Sequence, residues 1–229
     1  MIKEYNHVKY MKLSYAITVC NEARDLFSLV SFLLKVKDEE DEINILIDTL
    51  HVTENVKNVL EYFGDKIVTY EKDFDGNFAE HRNFHLTKCL GDYIFMIDPD
   101  EMPKEDLIIN IKKMIHDSGA ELVMVPRINI HPGFTQEWLE KCNFKTNELD
   151  WINWPDYQGR ILKNDKNIKW SRGLHEVVSG TDKMVQLQAD PRIALWHIKS
   201  IEKQDNRWDY DSGNYKVPES NNDLYDSLM

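Results

Sequence analysis

The sequence predicts an α/β fold, and three observations predict it. Short β-rich runs alternate with amphipathic stretches between residues 13 and 97. Alternation at this spacing builds a parallel sheet with right-handed crossovers. Acidic and amide side chains then fall at the carboxyl ends of the runs, where open α/β sheets bind ligands.

The elements come in this order. LSYAITV, residues 13–19, is the first strand. CNEARDLFSLVSFLLKV is next, with Leu26, Phe27, Leu29, Val30, Phe32, Leu33 and Val36 forming the broad apolar stripe of a helix packed on a sheet. EINILID, residues 42–48, is the second strand. The next helix has Thr53 at its N-cap, Val56, Val59, Leu60 and Phe63 on one face, and Gly64 as its stop. KIVTY, residues 66–70, is the third strand, and in the helix after it Asn77 and Glu80 have capping-box spacing, with Gly91 at its end. YIFMI, residues 93–97, is the fourth strand, buried on both faces. A helix with Pro103 near its first turn and a strand carrying Arg127 come next. Residues 131–157 are aromatic and irregular, with Trp138, Trp151, Trp154 and Pro155, and short strands and turns fill the rest to residue 200.

Composition narrows the function. A chain of 229 residues buries a continuous core without staples. The formal charge of −12 tells against a nucleic-acid backbone as partner, because such binders carry a basic face. No apolar run reaches the roughly 18 residues of a membrane span, and the N-terminal stretch has no secretion-signal pattern. Three scattered cysteines, Cys20, Cys89 and Cys142, suit a reducing cytoplasm better than a disulfide framework or zinc site.

The fourth strand stops at Asp98-Pro99-Asp100. In extended chain, residues two apart project to one side, so the two carboxylates are expected to face a common point, stiffened by the proline. Hard oxygen ligands so placed suit Mg²⁺ or Mn²⁺, above all when phosphate oxygens complete the shell. The plainer reading is an acidic turn before a helix, whose N-terminus also favours carboxylates. Asn21, Glu22 and Asp48 end two other strands, so polar groups from three strand ends converge on one crevice.

AITVCNEARDL, the strand ending at Asp48, and FAEHRNFHLTKCLGDYIFMIDPDE together resemble the family 2 glycosyltransferases of GT-A fold, over residues 12–105. WPDYQGRILKNDKNIKWSRGLHEVV and LWHIK resemble the second half of lipopolysaccharide-core-type bacterial and viral members. The resemblance implies a Rossmann-like mixed, mainly parallel sheet flanked by helices, with a partly irregular second half. It implies one domain over residues 1–229: a nucleotide-sugar-binding half, 12–105, an acceptor-side half, 120–200, and a polar tail, 201–229. It places Thr18, Asn21 and Glu22 on the nucleotide loop, Asp48 at the base and Arg82 beside the phosphates. Asp98 faces the ribose or metal, Asp100 ligates the metal, and His197 adds a metal or diphosphate contact. Glu176 aligns with the carboxylate that deprotonates the acceptor; HE replaces the commoner glutamate–aspartate pair, so Asp156 stays a second candidate. Arg127 and Arg160 complete the donor contacts, placed to neutralise that base or hold the acceptor.

The implied activity is metal-dependent transfer from a UDP, GDP or dTDP sugar to a hydroxyl of a glycan or glycoconjugate. Inversion is implied, and so is single addition, because the glutamine/arginine-rich tryptophan motif of processive members is missing. Two alternatives stand beside it. A nucleotidyltransferase shares the layout but needs a Gly- and Lys/Arg-rich phosphate loop where CNEARDL stands. A carbohydrate-binding scaffold would keep the fold without the chemistry. Plainer roles also stand for single residues: His197 as a buried, satisfied histidine, Glu176 as half of a hydrogen-bonded pair with His175, His81 and His85 as solvated or capping groups, and the tryptophans as core.

Overall fold

The computed structural model describes residues 11–173 and 176–205, and the backbone of 208–209 and 214–215. Nine strands form one sheet. Strands β1 (Leu13–Val19), β2 (Glu42–Asp48), β3 (Val68–Lys72) and β4 (Tyr93–Ile97) lie parallel in the order β3-β2-β1-β4. Beyond β4 the order runs β7 (Ile152–Lys163), β6 (Leu122–Ile130), β11 (Leu195–Ile198) and β5 (Glu101–Pro103). The β4–β7, β6–β7 and β5–β11 pairs are antiparallel, whereas β11 and the short β10 (Met184–Gln186) run parallel to β6. Strands β8 (Lys169–Ser171) and β9 (Val177–Ser179) form a separate ribbon.

The period of two sorts β1 and β4 into two cores. Leu13, Tyr15, Ile17, Phe95 and Ile97 pack under helices α1 (Ala23–Val36) and α4 (Glu105–Ser118), against Leu26, Leu29, Leu33, Leu107 and Ile111. Ala16, Ile94 and Met96 face the opposite layer, with Ala79 of helix α3 (Phe78–Leu86), Leu162 and Trp170. Helix α2 (Glu54–Phe63) buries Val56 and Phe63 and stops at Gly64, where φ is +51°. Thr53 is its N-cap by position, though its hydroxyl makes no capping bond. Asn77 does cap α3, accepting from the Glu80 N–H at 3.1 Å.

Four expectations are corrected. The third strand lies two residues later than its apolar run suggested, because a 3₁₀ turn at Gly64–Lys66 takes up the first residues. Pro103 ends strand β5 rather than opening α4, since the Leu195 edge of β11 pairs with it. Helix α3 stops at Leu86, ahead of Gly91. The segment 131–157 is partly regular: helix α5 (Gln136–Cys142) buries Trp138 and Leu139 on Ile152, and β7 begins before Pro155. The expected tail from residue 201 begins with helix α6 (Ile201–Asp205); most of the chain beyond that helix lies outside the described residues.

Gly91 has a packing reason of its own. A β-carbon there would meet the Ser14 nitrogen at 2.6 Å and the Leu13 carbonyl carbon at 2.8 Å, both backbone of β1. A Gly91→Ala protein is expected to lose about 1–3 kcal/mol, the usual scale of overpacking. Urea titration checks this, and an unchanged midpoint would disprove it.

Candidate active site

The strand ends open on one cleft. Thr18 and Val19 of β1, Cys20 and Glu22 after it, Asp48 of β2, and Asp98, Pro99 and Asp100 after β4 line it. Phe74, Phe78, His81 and Arg82 form one wall, and Lys203 of α6 another. The Phe74 and Phe78 rings lie 4.6 Å apart between centroids.

Two predicted residues brace the cleft from within. Asp48 is buried; its Oδ1 accepts from the Leu50 and Phe74 N–H groups at 3.1 and 3.2 Å, and its Oδ2 meets His51 Nδ1 at 2.5 Å. The Glu22 carboxylate folds back on its own loop, accepting from the N–H groups of Cys20 and Asn21 at 3.2 and 3.1 Å. Asn21 is buried beside it. Thr18 Oγ1 lies 3.4 Å from His85 Nδ1.

Asp98 and Asp100 do not sit in extended chain. The Glu101 N–H donates to the Asp98 carbonyl at 2.9 Å, so the segment turns. The carboxylates therefore address different partners. Asp98 Oδ1 accepts from Arg82 at 3.1 Å and its Oδ2 from Arg160 at 2.6 Å, while a third of the side chain stays open to the cleft. Asp100 Oδ2 accepts from Lys203 Nζ at 3.1 Å and lies 3.6 Å from His197 Nε2.

Arg82 is the hinge of this arrangement. Its Nε donates to Glu176 Oε1 at 2.8 Å while its Nη2 holds Asp98, and its guanidinium stacks 4.9 Å from the Trp170 ring. Neighbouring Asn83 stitches α3 to β8: its Oδ1 accepts from the Trp170 N–H at 2.8 Å and its Nδ2 donates to the Trp170 carbonyl at 2.8 Å. The β8–β9 ribbon thereby delivers Glu176 to the acid turn from a distant part of the sequence. His175, the expected neighbour in a pair with Glu176, lies outside the described residues.

Beneath the turn, Glu101 is fully buried between two arginines, accepting from Arg160 at 2.5 Å and Arg127 at 2.9 Å. Its other oxygen accepts from the Asp98 N–H at 3.2 Å. Arg127 also grips Asp156 Oδ2 with Nε at 3.0 Å and Nη2 at 2.7 Å. The arginines expected to neutralise Glu176 or hold the acceptor instead brace the floor. It is Arg82 that pairs with Glu176.

The charges are consistent with this geometry. Burial would raise the Asp98 carboxyl, but the Arg160 and Arg82 guanidiniums outweigh it and hold the group below the ordinary range. Asp100 behaves likewise, with Lys203 and His197 overcoming burial. Asp156 is also held low, against burial, by Arg127 and Asn129. His81 and His85 are buried, not solvated, and burial pushes both down, His85 to about 3.

Among the described residues, no three His, Cys, Asp or Glu side chains gather into a self-sufficient metal site. Two groups do face one point. Asn129 Nδ2 donates to Asp156 Oδ2 at 2.8 Å and to the Ile152 carbonyl at 3.3 Å, which leaves Asn129 Oδ1 to accept from His197 Nδ1 at 2.8 Å. That bond fixes the proton on Nδ1 and turns the Nε2 lone pair toward Asp100. His197 Nε2 and the Asp100 carboxylate oxygen thus face one another 3.6 Å apart, two groups that can ligate one cation. Mg²⁺ and Mn²⁺ commonly take one or two protein ligands plus phosphate oxygens, so Asp100 and His197, with Asp98 alongside, fit such an ion.

Glu101, Asn129 and Lys203 were not marked by sequence. Glu101 reads as one more helix-start acid, and Asn129 as a strand residue; only their three-dimensional neighbours reveal them.

A mixed sheet with acids, arginines and a histidine around the carboxyl ends of its parallel strands defines an α/β protein with one charged cleft at those ends. Comparison with known proteins gives the family. Glycosyl transferase family 2 matches residues 14–179, and the chain belongs to that family. It is 24% identical over 115 residues to Glycosyltransferase GlyG of Streptococcus pneumoniae serotype 4 (strain ATCC BAA-334 / TIGR4), covering 49% of this chain and 38% of that protein. Its fold is that of S. aureus TarS 1–349 in complex with UDP-GlcNAc, with a TM-score of 0.57 at 14% identity, covering 82% of this chain and 59% of that one. TarS itself gives 0.56 at 13% identity, over 85% and 38%. The GT-A fold expected from sequence is present. The chain spans less than two thirds of each of these relatives. No helix among the described residues is long and apolar enough to cross a membrane.

Proposed function

We propose that the chain transfers a sugar from a nucleoside diphosphate donor to a hydroxyl of a glycan or glycoconjugate, inverting the anomeric centre and adding one unit at a time. One observation carries this reading: Arg82 holds Asp98 and Glu176 with a single guanidinium, setting a carboxylate beside the acid turn. In the proposed reaction, Glu176 accepts the acceptor hydroxyl proton as that oxygen bonds to the anomeric carbon. The bond from that carbon to the diphosphate breaks on the opposite side, and the nucleoside diphosphate leaves with the electron pair. Asp48, Thr18 and the Phe74–Phe78 wall hold the nucleoside, with Asn21 and Glu22 shaping the loop. Asp100 and His197 would hold a divalent ion, Mn²⁺ or Mg²⁺, which would supply Lewis-acid stabilisation of the departing charge. Asp156 is a poorer base, because Arg127, Asn129 and Gln158 already occupy its oxygens. The free cysteines support a cytoplasmic enzyme.

Uridine is the first base to test, since TarS has been seen with UDP and UDP-GlcNAc. With Mn²⁺ present, UDP at about 100 times its Kd is expected to stabilise the protein by about 2.7 kcal/mol. For a domain of this size that raises Tm by roughly 5–11 °C. Flat melting curves with UDP, GDP and dTDP alike would remove the nucleotide-sugar reading.

A further inference from the structure

Lys203 has no role in the proposed reaction, yet it sits on the acid turn. It is buried at 8% exposure, its Nζ lies 3.1 Å from Asp100 Oδ2, and it lines the same cleft as Arg82. Its backbone is fixed. The Lys203 N–H donates to Ser200 Oγ at 3.1 Å, Ile201 packs on the Trp138–Ile152 cluster, and Asp205 accepts from the Trp138 indole at 3.0 Å. The ammonium therefore reaches Asp100 from an anchored base on a flexible four-carbon stem. It meets the very oxygen that faces the His197 Nε2 lone pair. A lysine and a divalent ion cannot share that point, because they compete for one anionic oxygen and repel each other.

We propose that Lys203 is the resident counter-ion of Asp100, which the metal–diphosphate of the donor displaces and which then pairs with the diphosphate. This rests on the nucleotide-sugar reading of the cleft. The ammonium neutralises Asp100 in the free protein and opposes a bare divalent ion. When ion and diphosphate arrive together, the diphosphate offers the ammonium new oxygens a side-chain rotation away, and Asp100 is released to the ion. Metal binding thereby becomes conditional on nucleotide, and Lys203 is a positioning residue for the donor.

The test is calorimetry on wild type and Lys203→Met, titrating MnCl₂ alone and then UDP in saturating Mn²⁺. The two effects have opposite signs. Mn²⁺ alone is expected to bind the variant about tenfold tighter, and UDP about tenfold weaker, the scale of one charge-assisted hydrogen bond. A Lys203→Arg protein keeps the charge, so its affinity for Mn²⁺ alone should stay within about twofold of wild type. If Lys203→Met fails to fold, Lys203→Gln, which can still donate to Asp100, takes its place. Unchanged or weaker Mn²⁺ binding in the neutral variant, or undiminished UDP binding, overturns the inference and leaves the donor site standing. Wild type that binds no UDP at all would instead defeat the parent reading, and this one with it.

Discussion

Replacing Glu176 by glutamine is expected to cut sugar transfer by about 10²–10⁴-fold, the usual contribution of a positioned general base. UDP affinity in Mn²⁺ should stay within a few-fold of wild type. The substitution is chosen for what it preserves. A glutamine carbonyl still accepts from Arg82 Nε, which spans 2.8 Å to Glu176 now, so Arg82 keeps its hold on Asp98. Only the capacity to take a proton is removed. Truncation to alanine would confuse the result, because the freed guanidinium could close further on Asp98. The readout is nucleoside diphosphate released per unit time across a panel of UDP sugars, with water or added glycan as acceptor. Asp156→Asn is the paired control. Its four hydrogen bonds, from Arg127 twice, Asn129 and Gln158, leave it little room to receive a proton. Should Asp156→Asn lose more activity than Glu176→Gln while both stay folded, the base is Asp156 and the proposed assignment is wrong.

The contrast between Glu176 and Glu101 shows what sequence could and could not convey. The parallel half of the sheet was legible because its signals are local. Strands of five to seven residues, three of the four buried, alternate with helices, and each strand end carries its own polar residue. Family resemblance added Arg82 and Glu176, which no local pattern links: they meet because Asn83 clamps β8 to α3. Extended chain would aim Asp98 and Asp100 at one point, but the proline segment turns, and the two carboxylates part toward an arginine pair and a lysine–histidine pair. Glu101, Asn129 and Lys203 were illegible for a common reason. Each takes its meaning from charges brought in by distant strands: Arg127 and Arg160 for Glu101, His197 and Asp156 for Asn129, and Asp100, 103 residues away, for Lys203. Residue type and spacing carry no trace of such pairings. The later start of β3 has a simpler origin, since a single 3₁₀ turn changes a boundary without changing the apolar pattern.

Glu101→Ala is expected to be the most destabilising substitution at the site, costing about 3–5 kcal/mol, the scale of breaking a buried ion pair from one side. The Glu101 carboxylate has no solvent exposure, and the Arg160 side chain only 4%. Without it, Arg160 keeps only Asp98 and Arg127 keeps only Asp156, and the guanidinium N–H groups that Glu101 accepted from lose their buried partner. The loss should lower Tm by roughly 6–20 °C for a domain of this size. Acid should act on the same network with a defined sign. Asp98 and Asp156 are held below their ordinary range in the folded protein. Their contribution is therefore fully present above about pH 4, the unfolded value, and drains away as pH falls through the folded values. Asp156→Asn has no such proton to gain. The stability gap between wild type and that variant should narrow steadily below pH 4, followed by urea unfolding at each pH. A gap that stays constant down to pH 2 would mean that Arg127 and Asp156 do not form their ion pair in solution. A Glu101→Ala protein as stable as wild type would mean that the arginine floor is not built around that carboxylate.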